Sequence, residues 1–342
     1  MSFKRLETDD FVVSADSITA GLFTDSQIPE ITTFFTSSTQ ANGSSGDYYL
    51  NVFSNEATSS LEFAVTYGNK LGSGSQAYNT SVDGKSPSST IYGQYRTLVL
   101  GDENAAFTFG SITSSDFWVV SIDRNRYKES IFPGSTTLLL SNGGDTISLT
   151  DNSQIASSVV FNDAGRVFQL VSGSAGNLST TKQSDGYSID SGSYGLFLPD
   201  IATYILNPRA LSNDFADGGI GLDATTTSAL TISSNPNPNL IFAAISASDG
   251  ASFTSNSEET ITSDYVFVRP RSSEFNYSEN PSFISGSTGE VLYPSFINAP
   301  TTYITTVGMY NDNNELLAVA KLSRPLEKDF TKEALVRVKL DF

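Results

Sequence analysis

The chain has 342 residues, 38% of them apolar and 11% aromatic, with a formal net charge of −18. That composition supports a sizeable core and excludes a disordered chain, while the charge opposes nucleic-acid binding through phosphates and docking on anionic membranes. Cys and His are both absent, which removes disulfides, thiolate chemistry and the usual metal and general-base sites, leaving carboxylates, Lys or Tyr for any catalysis.

Ser, Thr, Asn and Gly favour turns and strands over helices. The predicted fold class is mainly β with a few short helices, a β-rich α+β chain. It has antiparallel sheets or a sandwich, long Ser/Thr/Asn/Gly loops and a C-terminal β-meander. Three stretches are expected: an extended N-terminal segment and loop over 1–46, a central β-rich domain over 47–255 and a meander domain over 256–342. The N-terminus lacks the apolar core of a secretory signal. No apolar run approaches the ~20 residues of a membrane span, so a protein kept soluble in a cytoplasm is expected. The Asn-x-Ser/Thr triplets at Asn42, Asn79, Asn177 and Asn276 are read as chance matches.

In chain order, the short apolar runs between residues 8 and 35 suggest an extended segment lying across a partner or another domain, and Ser37–Gly46 reads as a loop. Tyr48–Phe53 and Leu61–Tyr67 read as a hairpin, with a turn over Asn55–Ser60. Gly68–Asp83 is a loop, and Gly72-x-Gly74 lacks the Lys-Ser/Thr ending of a phosphate loop. A helix is predicted over 86–100. Ser86 caps it, Pro87 opens it and Gly101 ends it, with Ile91, Tyr95, Leu98 and Val99 inward and a close packing contact expected at Gly93. Asp116–Asp123 reads as a buried strand running into the basic stretch Arg124–Glu129, a solvated strand end or a salt-bridged interface rather than a nucleic-acid patch, given the acidic total.

Strands are expected at Thr136–Leu140 and Thr146–Thr150, joined by a tight Asn142-Gly143-Gly144-Asp145 turn. Further strands are expected at Val159–Phe161 and Arg166–Val171. Ser172–Gly192 is a Gly/Ser loop, and Tyr194–Leu206 is two strands broken at Pro199-Asp200. Short helices are expected over 208–211 and 238–245, the second capped by Asn237. Residues 212–235 read as a surface excursion. Thr260–Tyr277 reads as one long strand with an edge or bulge at Pro270. Thr301–Tyr310 and Leu316–Leu322 pair across an Asn311–Asn314 turn, and Arg324–Lys332 is a charged crossover. Leu335–Phe342 alternates strictly, with Val336, Val338, Leu340 and Phe342 on one face.

Asn276–Pro281, Tyr303–Asp312, Glu315–Pro325 and the Lys-Leu-Asp-Phe end resemble virion structural proteins of contractile-tailed bacteriophages, nearest to T-even-like marine and cyanobacterial phages. Glu56–Asp102 and the Leu100–Asn104 stretch resemble the same set. The hairpin from Gly308-Met309-Tyr310 to Leu317-Ala318-Val319 is similar to the domain by which tail-fibre and collar proteins join a baseplate. The resemblance implies a structural subunit of the virion, assembled in the host bacterial cytoplasm. Its place would be the baseplate, tail or neck. The partners implied are other virion proteins (baseplate, tail tube, sheath or fibre subunits) in a symmetric assembly of several copies, with no nucleic acid and no membrane insertion.

No catalytic, cofactor-binding or metal-ligating residue is assigned, and no enzyme activity is expected. Asp312-Asn313-Asn314-Glu315 and Asp151-Asn152-Ser153 lack the full spacing of a calcium loop and suffice as turns. Asp9-Asp10 and Glu258-Glu259 are adjacent carboxylates, which on a strand face opposite sides. Two other functions compete with the scaffold. One is a receptor- or glycan-binding accessory protein, which needs an exposed aromatic cluster. The other is a carboxylate-dependent envelope hydrolase, which needs two converging acids in a cleft.

Overall fold

The computed structural model describes residues 3–23, 35–37, 49–53, 60–75, 86–179, 192–226, 236–246, 252–278 and 280–341. The fold is mostly β-sheet, with few short helices and long loops. The chain divides into two compact units, Ile18–Glu259 and Met1–Ser17 with Thr260–Phe342. Strand Ser252–Val268 belongs to the first unit through Glu259 and to the second from Thr260.

The larger unit is built on one antiparallel sheet. Its strands follow the order Phe35–Ser37, Tyr49–Phe53, Leu61–Asn69, Asp116–Ile122, Thr203–Leu206, Gly195–Leu198, Gly165–Ser174, Asp145–Asp151 and Thr137–Asn142. The first residues of Ser252–Val268 close the row. The central strands are apolar on both faces because both faces are covered. In Asp116–Ile122, Trp118, Val120 and Ile122 enter one core while Phe117 and Val119 enter the other. That two-sided burial explains the continuous apolar runs that a half-exposed strand would not have.

Helix Pro87–Leu100 covers the second face. Its capping box is formed by Ser86 and Ser89, Pro87 opens it, and Gly101 closes it at φ 63° with its N–H on the Thr97 carbonyl. Ile91, Tyr92 and Val99 are buried, and Tyr92 stacks on Phe117 at 5.1 Å. Leu98 points outward instead, because it lies about a quarter turn from the Tyr92–Val99 face. A Cβ at Gly93 meets nothing, so the expected close contact is absent there.

Helix Pro236–Ser246 covers the first face. It touches Thr137–Asn142 at one end of the strand order and Leu61–Asn69 and Tyr49–Phe53 at the other, so the sheet curls around it. Asn237 sits within the helix rather than capping it. Its amide donates to the Gly74 and Thr225 carbonyls and accepts from Thr225 N–H, while its own carbonyl receives the Trp118 indole N–H at 3.0 Å. A Cβ on Gly74, at φ 78°, would collide with this clasp.

The Asn142–Asp145 hairpin turns through Gly143 and Gly144, both at positive φ, as a two-residue turn requires. Pro199–Ile201 is a 3-10 turn between strands, and Pro208–Leu211 is a short helix capped by Asn207. The excursion after 212 is less superficial than its composition suggests. Ile220 and Leu222 are buried, and Asn142 donates to the Ile220 carbonyl. The expected loops over 38–46, 76–83, 180–191 and 227–235 and the turn over 55–59 lie outside the described residues.

In the smaller unit, Thr260–Val268 pairs antiparallel with Val336–Asp341, and Thr301–Tyr310 pairs with Leu316–Asp329. The last strand joins the Thr260–Val268 strand and not the one before it in sequence, so a sequential meander is not formed. Val266, Val336 and Val338 face Val307, Met309, Ala320, Leu322 and Leu326 in one core. The strand expected through Tyr277 ends at Val268, before Pro270, and a loop follows. The expected crossover at Arg324–Lys332 is instead strand as far as Asp329. Pro325 is tolerated because Leu322–Pro325 bulge out opposite Thr305 alone, where no ladder N–H is needed. Residues 8–10 form a 3-10 turn and Phe11–Phe23 a strand, with Val12 and Val13 exposed.

Candidate functional site

The hairpin Thr301–Tyr310/Leu316–Asp329 has two unlike faces. Alternation sends Val307, Met309, Ala320 and Leu322 inward. It leaves Tyr303, Tyr310, Leu316 and Val319 exposed on the other side, with Leu317 added by a bulge at the turn end. Leu317 is 67% and Val319 58% exposed. Gly308 pairs with Val319 beneath the Tyr310 ring, and Phe3 meets that ring edge-on at 5.4 Å. The turn is held by Asn311, whose side-chain oxygen accepts from the Asn313 and Glu315 amides while its Nδ2 donates to Glu315 at 2.6 Å. Asn314 there has φ 60°. Clustered exposed aliphatic and aromatic groups on a rigid hairpin form an interaction surface more readily than a catalytic one.

Charge is unevenly divided. Residues 18–259 hold nine of the 19 Lys/Arg but twenty-three of the 37 Asp/Glu. The smaller unit is close to balanced, so its apolar face is spared the repulsion that the acidic unit exerts on acidic neighbours.

Lys328, near the end of the second strand of this hairpin, is 0% exposed. Its Nζ donates to Asn276 Oδ1 at 2.7 Å, to the Asp329 carbonyl at 2.8 Å and to the Ser272 carbonyl at 3.0 Å. Asn276, 1% exposed, donates its own Nδ2 to the same Ser272 carbonyl. Phe275 beside it has φ 55°. A lysine in sequence reads as surface; only the fold shows this one to be internal.

In the larger unit Asp116 and Glu62 are buried, and Arg166 is half-buried. Asp116 accepts from Tyr67 Oη at 2.9 Å and from Ser114 Oγ at 3.2 Å, and burial pushes its carboxyl above the usual range. Burial also pushes the Tyr67 phenol up. Glu62 is raised by burial, opposed by the Arg126 guanidinium at 2.8 Å. Arg166 bridges Asp200 at 2.7 Å and Glu258 at 3.2 Å, and Ser130 donates to Glu258. Each carboxylate is engaged by partners within the protein.

The remaining sequence candidates lie in turns, ion pairs and ring contacts. Asp151 accepts the Gly134 and Ser153 amides and Asp10 the Glu7 amide, so both organise turns. Glu258 joins the Arg166 cluster while Glu259 is exposed. Arg126 of the basic stretch pairs with Glu62, and Arg124 lies over the Tyr127 ring at 4.7 Å. An open groove of ≈ 780 Å³ in the larger unit is lined by Thr146, Ser148, Ser174, Asn177 and Phe215 among others, with no ionisable side chain among the described residues.

Among the described residues no group of three or more His, Cys, Asp or Glu is placed to hold a metal ion, and no helix is long and apolar enough to cross a membrane. No protein-family model, curated protein or solved structure matches the chain.

Proposed function

We propose that the chain is a structural subunit of a contractile-tailed phage particle, in the baseplate or the adjoining tail, with no catalytic role. On this reading the smaller unit is a two-layer β module that docks on neighbouring virion subunits through the outer face of its hairpin. The observation that carries the proposal is the exposed set Tyr303, Tyr310, Leu316, Leu317 and Val319 on a strand pair whose other face is fixed in a core. Free strand edges and apolar side chains together suit β-addition by a partner. The acidic larger unit would keep unassembled copies apart.

Peptide mass spectrometry of gradient-purified particles from an infected host tests this. The chain is expected at fixed stoichiometry with the tail proteins. Finding it only in the soluble lysate overturns the proposal. A second reading, a glycan-binding accessory protein, draws on the neutral hydroxyl and amide lining of the groove beside Phe215. Binding on a glycan array, lost on Asn177→Ala, would favour it.

A further inference from the structure

We propose that Lys328 and Asn276 join in an intramolecular isopeptide bond. The argument is independent of the phage reading. Both side chains are sealed from solvent, and Nζ lies 2.7 Å from Oδ1. With a carbonyl bond of about 1.2 Å, that contact puts the Asn276 Cγ roughly 3.0–3.9 Å from Nζ, which overlaps the approach distance of a near-attack arrangement. The Ser272 carbonyl accepts from both Nζ and Nδ2, so it holds nucleophile and leaving group side by side.

Among the described residues no carboxylate lies within ion-pair distance of Nζ. A lysine side chain attacks through its free-amine form, whose nitrogen lone pair is the nucleophile. The step balances without an oxidant or co-reactant. The Nζ lone pair attacks Cγ, the Nζ–Cγ bond forms and the Cγ–Nδ2 bond breaks. One Nζ hydrogen passes to Nδ2, which leaves as ammonia. The product is a secondary amide between a loop and the end of the hairpin, in a chain with no cysteine to cross-link otherwise.

The Phe275 backbone at φ 55° is what presents Asn276 to the lysine. Such strain persists only where the surroundings over-determine it. The tie would fix the loop Pro270–Ser278 against the strand that carries the exposed hairpin face.

The test is the denatured intact mass of the purified full chain, followed by tryptic mapping. The expected mass is the sequence mass less one ammonia. The expected digest contains a branched species joining Ser272–Lys321 to Leu322–Lys332, uncut at Lys328. The Lys328→Met chain, weighed under the same denaturing conditions whether or not it folds well, should keep its full mass. A wild-type chain at full sequence mass, cut at Lys328, overturns the proposal. So does an ammonia loss that maps to the Asn42-Gly43 or Asn142-Gly143 steps, where succinimide formation gives the same mass change.

Discussion

Replacing Lys328 with Met separates an anchoring lysine from a cross-linking one. Met fills a similar volume without polar demands, so packing changes little. The Ser272 carbonyl keeps its bond from Asn276, and the Asp329 carbonyl keeps the Lys332 amide. Among the described residues, Asn276 Oδ1 is the group left without a partner. One orphaned buried acceptor costs about 1–3 kcal/mol. A covalent tie between residues 276 and 328 closes a loop of about 50 residues, worth roughly 4 kcal/mol more by the chain-entropy estimate.

The single Trp, Trp118, lies in the larger unit, so its fluorescence is blind to this change. Hydrogen exchange followed by mass spectrometry on peptides covering 260–341 is the suitable assay. Loss of hydrogen bonding alone should speed exchange in Val336–Asp341 by roughly ten- to a hundredfold, at 1.4 kcal/mol per decade. Loss of a cross-link as well should speed it by more than a thousandfold. Exchange within threefold of wild type would refute the claim that Lys328 anchors this unit.

Asp116→Asn should stabilise the larger unit at neutral pH, because an amide keeps the Tyr67 contact and can donate to Ser114 Oγ, which itself donates to the Asp116 carbonyl. Since burial raises the native carboxyl pKa, the folded state holds the proton longer than the unfolded one. Wild-type stability should therefore fall as pH rises from the unfolded value of about 3.9 through the native one, and the variant should lack that slope in urea melts followed by Trp118 fluorescence. Gly74→Ala should destabilise by about 1–3 kcal/mol in the same assay, because its backbone is left-handed and its Cβ would strike the Thr225 carbonyl and Asn237. Deleting Leu335–Phe342 removes Val336 and Val338 from the smaller core; the product should be insoluble, and wild-type solubility would contradict the placement of that strand.

Local signals made much of the fold legible. Ser86, Pro87 and Gly101 mark their helix because caps and breakers act within a few residues, and Asn142-Gly143-Gly144-Asp145 marks its hairpin for the same reason. The alternation of Val336, Val338 and Leu340 revealed a half-buried strand, since period two needs no knowledge of the partner. It could not reveal that the partner is Thr260–Val268, because pairing is set by distant contacts. Pro325 read as a strand end, and only the bulge opposite Thr305 reconciles it with a strand. Leu98 and Val99 were separable only by the helical face that Phe117 happens to cover. The pairing of Thr301–Tyr310 with the strand after Asn314 was legible, but its exposed face was not, because register shifts at Ile304/Thr306 and Met309/Tyr310 break the simple alternation. The burial of Lys328 and its contact with Asn276 were not legible either, because a lone lysine carries no sequence mark of having been enclosed.

The docking claim is tested most directly by Leu317→Ser with Val319→Ser on the exposed hairpin face. These side chains lie outside the core, so the purified double variant should melt within about 0.5 kcal/mol of wild type. Supplied in place of the wild-type chain during infection, it should be missing from gradient-purified particles while remaining soluble in the lysate. Incorporation at the wild-type level would contradict the account.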